Sequence, residues 1–184
     1  FVYNRFMESK TLLNESELNS IIKNLSKDIA ASVTAKTVFI GIDLRGKILA
    51  QRLKKHCQNI TSKIIELGTI DTSLYRNVAN ENYVNIGETN IPFSLKNKHV
   101  ILVVECLKSG ESIYAALNAL SDYNEPASIE IAALVNTEKL VYPFLVKFKG
   151  KSISTDDNKD IEINFFEING IDAVQEKLVA QIRI

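Results

Sequence analysis

Short apolar runs alternate along this chain with stretches whose apolar residues recur at helical spacing. Continuous apolar, β-branched runs are typical of strands covered on both faces. Residues 37–42, 64–70, 100–104 and 128–135 are runs of this kind. Strands that alternate with helices pair in parallel through right-handed crossovers. The pattern therefore predicts an α/β fold, a doubly wound, mostly parallel sheet with helices on both faces.

Three stretches before and between these strands have the spacing of amphipathic helices. The first follows Asn14, which forms the pattern of a capping box with Glu17. The second follows Gly46, and the third follows Ser112. In a doubly wound sheet, ligands bind beyond the carboxyl ends of the strands. Residues 44–46 and 105–112 both fall at that edge, so we expect them to form a site.

The remaining segments predict peripheral structure. Residues 93–95 are expected to be a short edge strand, and residues 77–90 a long polar loop of the kind that often covers a binding site. After residue 135 the pattern becomes irregular, with short strands near 146–153 and 161–166 and a terminal helix over 170–180. No repeat or linker divides the chain, so we expect one domain.

The segment VILVVECLKSGES, residues 100–112, is the most informative. An apolar strand runs into Glu105, then into a turn of small residues, then into a helix. Free backbone N–H groups and the positive end of the helix dipole converge at such a turn and favour an anion. The alternative is a plain strand–turn–helix connection in which Ser109 or Ser112 caps the helix.

This segment resembles the 5-phosphate loop of type I phosphoribosyltransferases. It is most similar to that of the pyrimidine operon regulator/uracil phosphoribosyltransferases (PyrR), which have four apolar residues, two Asp, Val-Leu-Tyr and Thr-Gly-Arg-Thr. FIGIDLRG at 39–46, IDTSLYR at 70–76 and KGKSI at 149–153 resemble further family segments in the same order. The resemblance implies a single domain over 1–184. In it, residues 1–11 are an N-terminal extension, and 136–184 include a small irregular hood and the C-terminal helix.

The resemblance also implies a ligand and a role for each matching residue. The ligand is PRPP or a nucleoside monophosphate, with Mg²⁺ held by the pyrophosphate of PRPP and by no direct protein ligand. Arg76 and Glu105 would be catalytic, with Glu105 holding the ribose and Arg76 reaching the pyrophosphate. The other phosphate-binding residues would be Arg45, Gly46, Lys108, Ser109, Gly110, Glu111 and Ser112.

The chain departs from the family pattern where the ribose is held. Val104 stands in place of the first of the two acids, and Glu105 is the second. A hydroxyl hydrogen bond to a carboxylate contributes about 1.5–3 kcal/mol, so losing one acid weakens the grip about tenfold to a hundredfold. Two hypotheses follow. One is a phosphoribosyltransferase acting on a nucleobase such as uracil, and the other is a weak or inactive relative that senses a nucleotide.

Composition narrows the class of partner. The 184 residues include 22 basic and 22 acidic side chains, so the chain has no net charge and RNA or a membrane surface is not an expected partner. The basic run at residues 52–56 is expected to be a solvated helix face. Two cysteines fit a reducing compartment, and we expect a cytoplasmic protein. The family resemblance implies a homo-oligomer, a dimer or tetramer.

Overall fold

The computed structural model describes residues 9–73, 87–123, 125–137, 139–156 and 158–178. Within these ranges the chain forms eight strands and four helices. Their bounds are β1 Ser9–Leu13, α1 Glu15–Ala30, β2 Thr37–Ile42, α2 Asp43–Thr61, β3 Glu66–Ile70, β4 His99–Leu107, α3 Glu111–Leu120, β5 Ser128–Asn136, β6 Phe148–Ser152, β7 Lys159–Asn164, α4 Phe166–Asn169 and β8 Ala173–Leu178.

The central sheet has five parallel strands in the order β3-β2-β4-β5-β6. The strand order reverses beside β2, the first strand of this sheet in the chain. Neighbouring helices must therefore leave toward opposite faces, which opens a crevice at the carboxyl ends of β2 and β4. The predicted doubly wound sheet is confirmed, and the crevice lies where the sequence places the candidate site.

Alternate residues of the strands serve two separate cores. Phe39 and Ile101 pack with α1 and α2 on one face of the sheet. Ile40 and Leu102 pack with α3 on the other face. Because side chains alternate along a strand, such strands must be apolar at nearly every position. This is the continuous apolar pattern seen in the sequence.

A second sheet forms the hood and has three antiparallel strands in the order β1-β8-β7. The predicted terminal helix over 170–180 is wrong, since Gly170 ends the short helix α4 in the left-handed region and the chain continues as β8. Strand β8 lies between β1 and β7, and its hydrogen bonds to these two strands outweigh the weak helical preference of its residues. The predicted N-terminal extension over 1–11 is too long, because Ser9 already pairs with Lys177 in this sheet.

Three other boundaries differ from the prediction. Residues 93–95 form no strand in the described chain. Leu95 is buried in the α3-side core instead, and Asn90 forms an isolated antiparallel bridge with Thr69. Strand β4 continues through Glu105 to Leu107, so the turn before α3 begins at Lys108. Helix α2 starts at Asp43, three residues before Gly46.

None of the helices in the described ranges combines the length and the apolar character that a bilayer crossing needs.

Candidate functional site

Two helix N-termini meet at the carboxyl edge of the central sheet. Strand β2 pairs in parallel with β4, with Gly41 opposite Val103. Helix α2 begins directly after β2, and α3 begins at Glu111, four residues after β4 ends. Both helices direct their positive dipole ends to this edge. The two segments that the sequence analysis singled out are therefore neighbours in the structure.

A tight turn, residues 108–112, joins β4 to α3. Gly110 caps α3 with φ of +93°, in the left-handed region that favours glycine. The carbonyl of Ser109 accepts hydrogen bonds from the amides of Val141 and Tyr142, at 2.9 and 3.1 Å. The Ser109 hydroxyl accepts a longer bond, 3.3 Å, from the amide of Glu111. Residues 141–142 thus fix one side of the 108–112 turn.

The other side of the turn faces a pocket of about 400 Å³, which the hood bounds on one side. We call it the hood pocket. One wall is the end of β4 with the 108–112 turn, and the opposite wall is β7 with Lys177 of β8. The predicted site residues that line it are Arg45, Glu105, Lys108, Ser109, Gly110, Glu111 and Ser112. The structure therefore gathers most of the predicted site around one cavity.

Val104 and Glu105 both line the hood pocket, at the end of β4. The Val104 side chain is only 2% exposed and belongs to the α3-side core. Glu105 is half-buried, so one carboxylate remains where the family pattern has two. An apolar side chain at position 104 can pack against a sugar but cannot accept a hydroxyl hydrogen bond.

Arg45 lines the hood pocket, and its Nε donates to the carbonyl of Ile163 on β7 at 3.1 Å. Gly46 is buried behind it, and a Cβ there would lie 2.7 Å from the carbonyl oxygen of Val103. The glycine therefore allows α2 to lie directly on β4. Gly46 positions Arg45 through this close packing.

Asp43 precedes these residues with φ of +54°, an unusual conformation for a residue that has a side chain. Its carboxylate accepts hydrogen bonds from the amide and the hydroxyl of Thr72, at 2.8 and 3.0 Å. Thr72 is fully buried just after β3. These bonds fix the start of α2, and the sequence analysis did not foresee this contact between loops 29 residues apart.

Two ion pairs lie at the pocket, one between the 108–112 turn and the hood and one within the hood. Lys108 lies 2.6 Å from a carboxylate oxygen of Asp160, and Lys177 pairs with Glu162. Three cationic and four carboxylate side chains line the pocket in all. The sequence analysis missed Asp160, Glu162 and Lys177. The alternation of polar and apolar residues at 160–163 predicts that Asp160 and Glu162 lie on one face of a strand. It does not predict which part of the protein that face packs against.

The hood is fastened to the central domain by Arg52 on α2. Its guanidinium donates to both carboxylate oxygens of Asp172 at 2.8 Å and to Glu167, and it lies 4.9 Å from the centre of the Phe165 ring. The predicted solvated face over residues 52–56 is therefore wrong at Arg52, whose side chain is 17% exposed. Sequence spacing alone cannot show partners more than 100 residues away.

Acidification is expected to release this attachment. Burial would raise the pKa of Asp172, but hydrogen bonds from Arg52 and the Phe166 amide leave it below its ordinary value. The hydrogen bond from Arg52 also lowers the pKa of Glu167. Because both pKa values are lower in the folded chain, the unfolded chain takes up more protons as the pH falls. Stability should therefore decline between about pH 5 and pH 3.

Urea unfolding at a series of pH values measures this decline, and an Arg52→Ala variant provides the comparison. The variant lacks the cation that lowers both pKa values, so its stability should change less steeply over the same interval. Equal slopes for the two proteins would contradict the assignment.

Cys106 lines the hood pocket beside Glu105. Burial raises the pKa of this thiol to about 12, with a smaller opposing effect from Lys108. At neutral pH the thiol is therefore protonated, which does not favour a nucleophilic role.

In the described residues, no three His, Cys, Asp or Glu side chains come together as a metal site. Arg76, the predicted catalytic arginine of the mobile loop, lies outside the described residues. Its place relative to the hood pocket therefore stays a prediction.

Residues 8–168 match the family described as the phosphoribosyl transferase domain. The chain is 35% identical over 146 residues to the "Bifunctional protein PyrR" of Latilactobacillus sakei subsp. sakei, covering 77% of this chain and 82% of the relative. It is 36% identical over 146 residues to "Bifunctional protein PyrR 1" of Lactiplantibacillus plantarum, covering 77% and 81%.

The fold is similar to a crystal structure of HGPRT-ase from Leishmania tarentolae in complex with GMP. The TM-score is 0.70 at 15% identity, over 95% of this chain and 98% of the other. At 15% identity this similarity shows only a shared fold. The family match and the PyrR relatives show similarity of sequence. The chain therefore belongs to the phosphoribosyltransferase family, as a PyrR-like member of its type I branch.

Proposed function

We propose that the hood pocket binds the phosphoribosyl group of PRPP or of a nucleoside 5-monophosphate, with its 5-phosphate in the 108–112 turn. The observation that carries the proposal is the turn itself. It begins a helix, has glycine at the cap in a left-handed conformation, and lines an open pocket. Backbone amides at such a position bind a dianion without needing a net positive charge.

The other lining residues supply the remaining contacts. Glu105 would accept a hydrogen bond from a ribose hydroxyl. Arg45 would contact the pyrophosphate of PRPP from the N-terminus of α2, where a guanidinium can bind two phosphate oxygens at once. Arg76 would reach the same group from the mobile loop. Arg45 and Glu105 support the proposal because both line the same pocket as the 108–112 turn.

Mg²⁺ would enter this site with PRPP, as in the family. Pyrophosphate and water would supply the oxygen ligands of the ion, with no direct ligand from the protein. This fits the described residues, in which no three His, Cys, Asp or Glu side chains come together as a metal site. Held in that way, Mg²⁺ would supply positive charge to the pyrophosphate leaving group.

Transfer to a nucleobase follows from the same arrangement. A ring nitrogen of the base forms a bond to C1 of the ribose while the bond from C1 to the pyrophosphate oxygen breaks. The nitrogen loses its proton to solvent, and pyrophosphate leaves with the bonding electron pair. The chain's part is to hold the ribose in line and exclude water beneath the hood. Uracil is the base that the family resemblance supports.

A second candidate is a nucleotide-binding module with little or no turnover. Val104 favours it, because a buried valine holds no hydroxyl where the family has an acid. Under either candidate we propose a cytoplasmic homo-oligomer of two or four chains, as the family commonly forms.

Calorimetry and a turnover assay separate these two candidates. The titrations use PRPP with Mg²⁺, UMP and ribose 5-phosphate, and the assay follows conversion of radiolabelled uracil. The first candidate requires binding and product, and the second requires binding without product. Removing Mg²⁺ with a chelator should weaken PRPP and leave ribose 5-phosphate unchanged. No binding of any of the three ligands would contradict both candidates.

Restoring the missing acid should strengthen binding. In a Val104→Asp variant, PRPP affinity is expected to rise about tenfold to a hundredfold, because the new carboxylate accepts a ribose hydroxyl worth about 1.5–3 kcal/mol. Calorimetry with PRPP and Mg²⁺ measures the change. Val104→Asn is the matched control, since it has the same size without the charge. An Asp variant that binds no more tightly than the Asn variant would refute the proposed ribose contact.

A further inference from the structure

Strand β7 of the hood contacts two cationic side chains at the carboxyl edge of the central sheet. The carbonyl of Ile163 accepts from Arg45, and the carboxylate of Asp160 pairs with Lys108. Lys108 belongs to the 108–112 turn, whereas Asp160 is 52 residues further along the chain. The hood therefore holds, by one strand, side chains that a phosphorylated ligand would also engage.

The two contacts differ in how easily a ligand can replace them. Arg45 donates through Nε to a backbone carbonyl, and the position of that carbonyl is fixed by strand β7. The pair of Lys108 with Asp160 is exposed to solvent, with side chains 44% and 53% accessible. Ion pairs this exposed contribute little to stability, because water and salt screen them. Lys108 can therefore change partner at small cost.

A phosphate monoester in the 108–112 turn would compete for Lys108 with an advantage. It carries up to two negative charges and three acceptor oxygens, against the single charge of a carboxylate. It would also lie near Asp160, whose negative charge would repel it across the pocket. The competition for Lys108 and the repulsion of the phosphate both depend on Asp160.

We propose that Asp160 sets the affinity of the hood pocket for phosphate monoesters, by pairing with Lys108 in the ligand-free protein and losing it to the ligand's phosphate. The inference rests on the proposed function, because it takes the 108–112 turn as the phosphate site. In this inference Asp160 determines the affinity for the ligand. Binding of a phosphate in the 108–112 turn would break the contact between Lys108 and Asp160 of β7.

An Asp160→Asn variant tests this directly. Asp160 Oδ1 also accepts the amide of Ile161 at 2.9 Å, and an asparagine oxygen can keep that bond, so the strand should retain its structure. Glu162→Gln is the matched control. It removes the same charge from the same strand and the same pocket, but its partner is Lys177, not Lys108.

The readout is the dissociation constant for ribose 5-phosphate by calorimetry, at low and at physiological salt. Asp160→Asn should bind threefold to tenfold more tightly than the unmodified protein, and Glu162→Gln should stay within twofold of it, as estimated from the loss of one screened charge. Lys108→Met should weaken binding. In the Lys108→Met background, Asp160→Asn should bring a smaller gain than in the unmodified protein, because Lys108 is then no longer there to be released.

The outcomes separate this inference from the proposed function. Equal gains in Asp160→Asn and Glu162→Gln would show a general charge effect, and no gain in either would show that Asp160 does not compete. Each result overturns the inference while ribose 5-phosphate still binds. Failure of the unmodified protein to bind ribose 5-phosphate, UMP and PRPP would instead overturn the proposed function.

Discussion

An Arg52→Ala variant is expected to lose about 3–5 kcal/mol of unfolding free energy, the cost of removing one partner from a buried ion pair. Asp172 is the reason, because its side chain is only 8% exposed and accepts two hydrogen bonds from Arg52. Without the arginine, this carboxylate stays buried with the Phe166 amide as its donor. Glu167 is 46% exposed, and its pairing adds little because water screens it.

Urea unfolding near pH 7 measures the loss, and Arg52→Lys is the matched control. Lysine keeps the charge but cannot donate in the planar fork that reaches Asp172 and Glu167 together, so it should recover only part of the stability. Binding of ribose 5-phosphate should weaken in both variants, because the hood forms one wall of the pocket. An alanine variant as stable as the unmodified protein would show that the hood is held by apolar contacts alone.

A Gly110→Ala variant is expected to lose about 2–5 kcal/mol of unfolding free energy and most of its affinity for ribose 5-phosphate. Two effects add together. A left-handed backbone costs a residue with a side chain about 1–2 kcal/mol, and crowding in a packed region costs about 1–3 kcal/mol. The new methyl would lie 3.2 Å from Cβ and from the carbonyl oxygen of Tyr142, and 3.3 Å from the Phe144 ring.

Gly170→Ala is the control for this variant. Gly170 also has positive φ, +71°, but a methyl there would meet nothing within 4 Å. It should therefore show the cost of the backbone conformation alone and leave ligand binding unchanged. Equal losses of stability in the two variants, with binding retained in both, would contradict the role given to the 108–112 turn.

The central sheet could be predicted from the sequence because its signals are local. Strands covered on both faces are apolar at every position, as in Val100 to Val104, and the turn at Gly110 is marked by residues that are adjacent in the chain. The position of this turn at the carboxyl edge then follows from the topology of parallel sheets. Most of the candidate site could therefore be predicted from the sequence.

The hood could not be predicted in the same way. The residues of β8 are compatible with a helix or a strand. Pairing with β1 and β7 stabilises the strand. The partners of Arg52 and Lys108 are likewise set by how the hood lies over the sheet. No spacing in the sequence links Lys108 to Asp160, so the charges that face the site had to be seen in three dimensions.

The pairing of Ser9 with Lys177 has a consequence for biosynthesis. Strand β1 leaves the ribosome before the central sheet, yet its hydrogen-bonding partner β8 emerges only after all five strands of that sheet. At typical translation rates this interval is roughly ten to thirty seconds. During that time the parallel core can already assemble, while the ligand cavity still lacks its roof. Nascent chains arrested before β8 should consequently be folded in the core and unable to capture ligand.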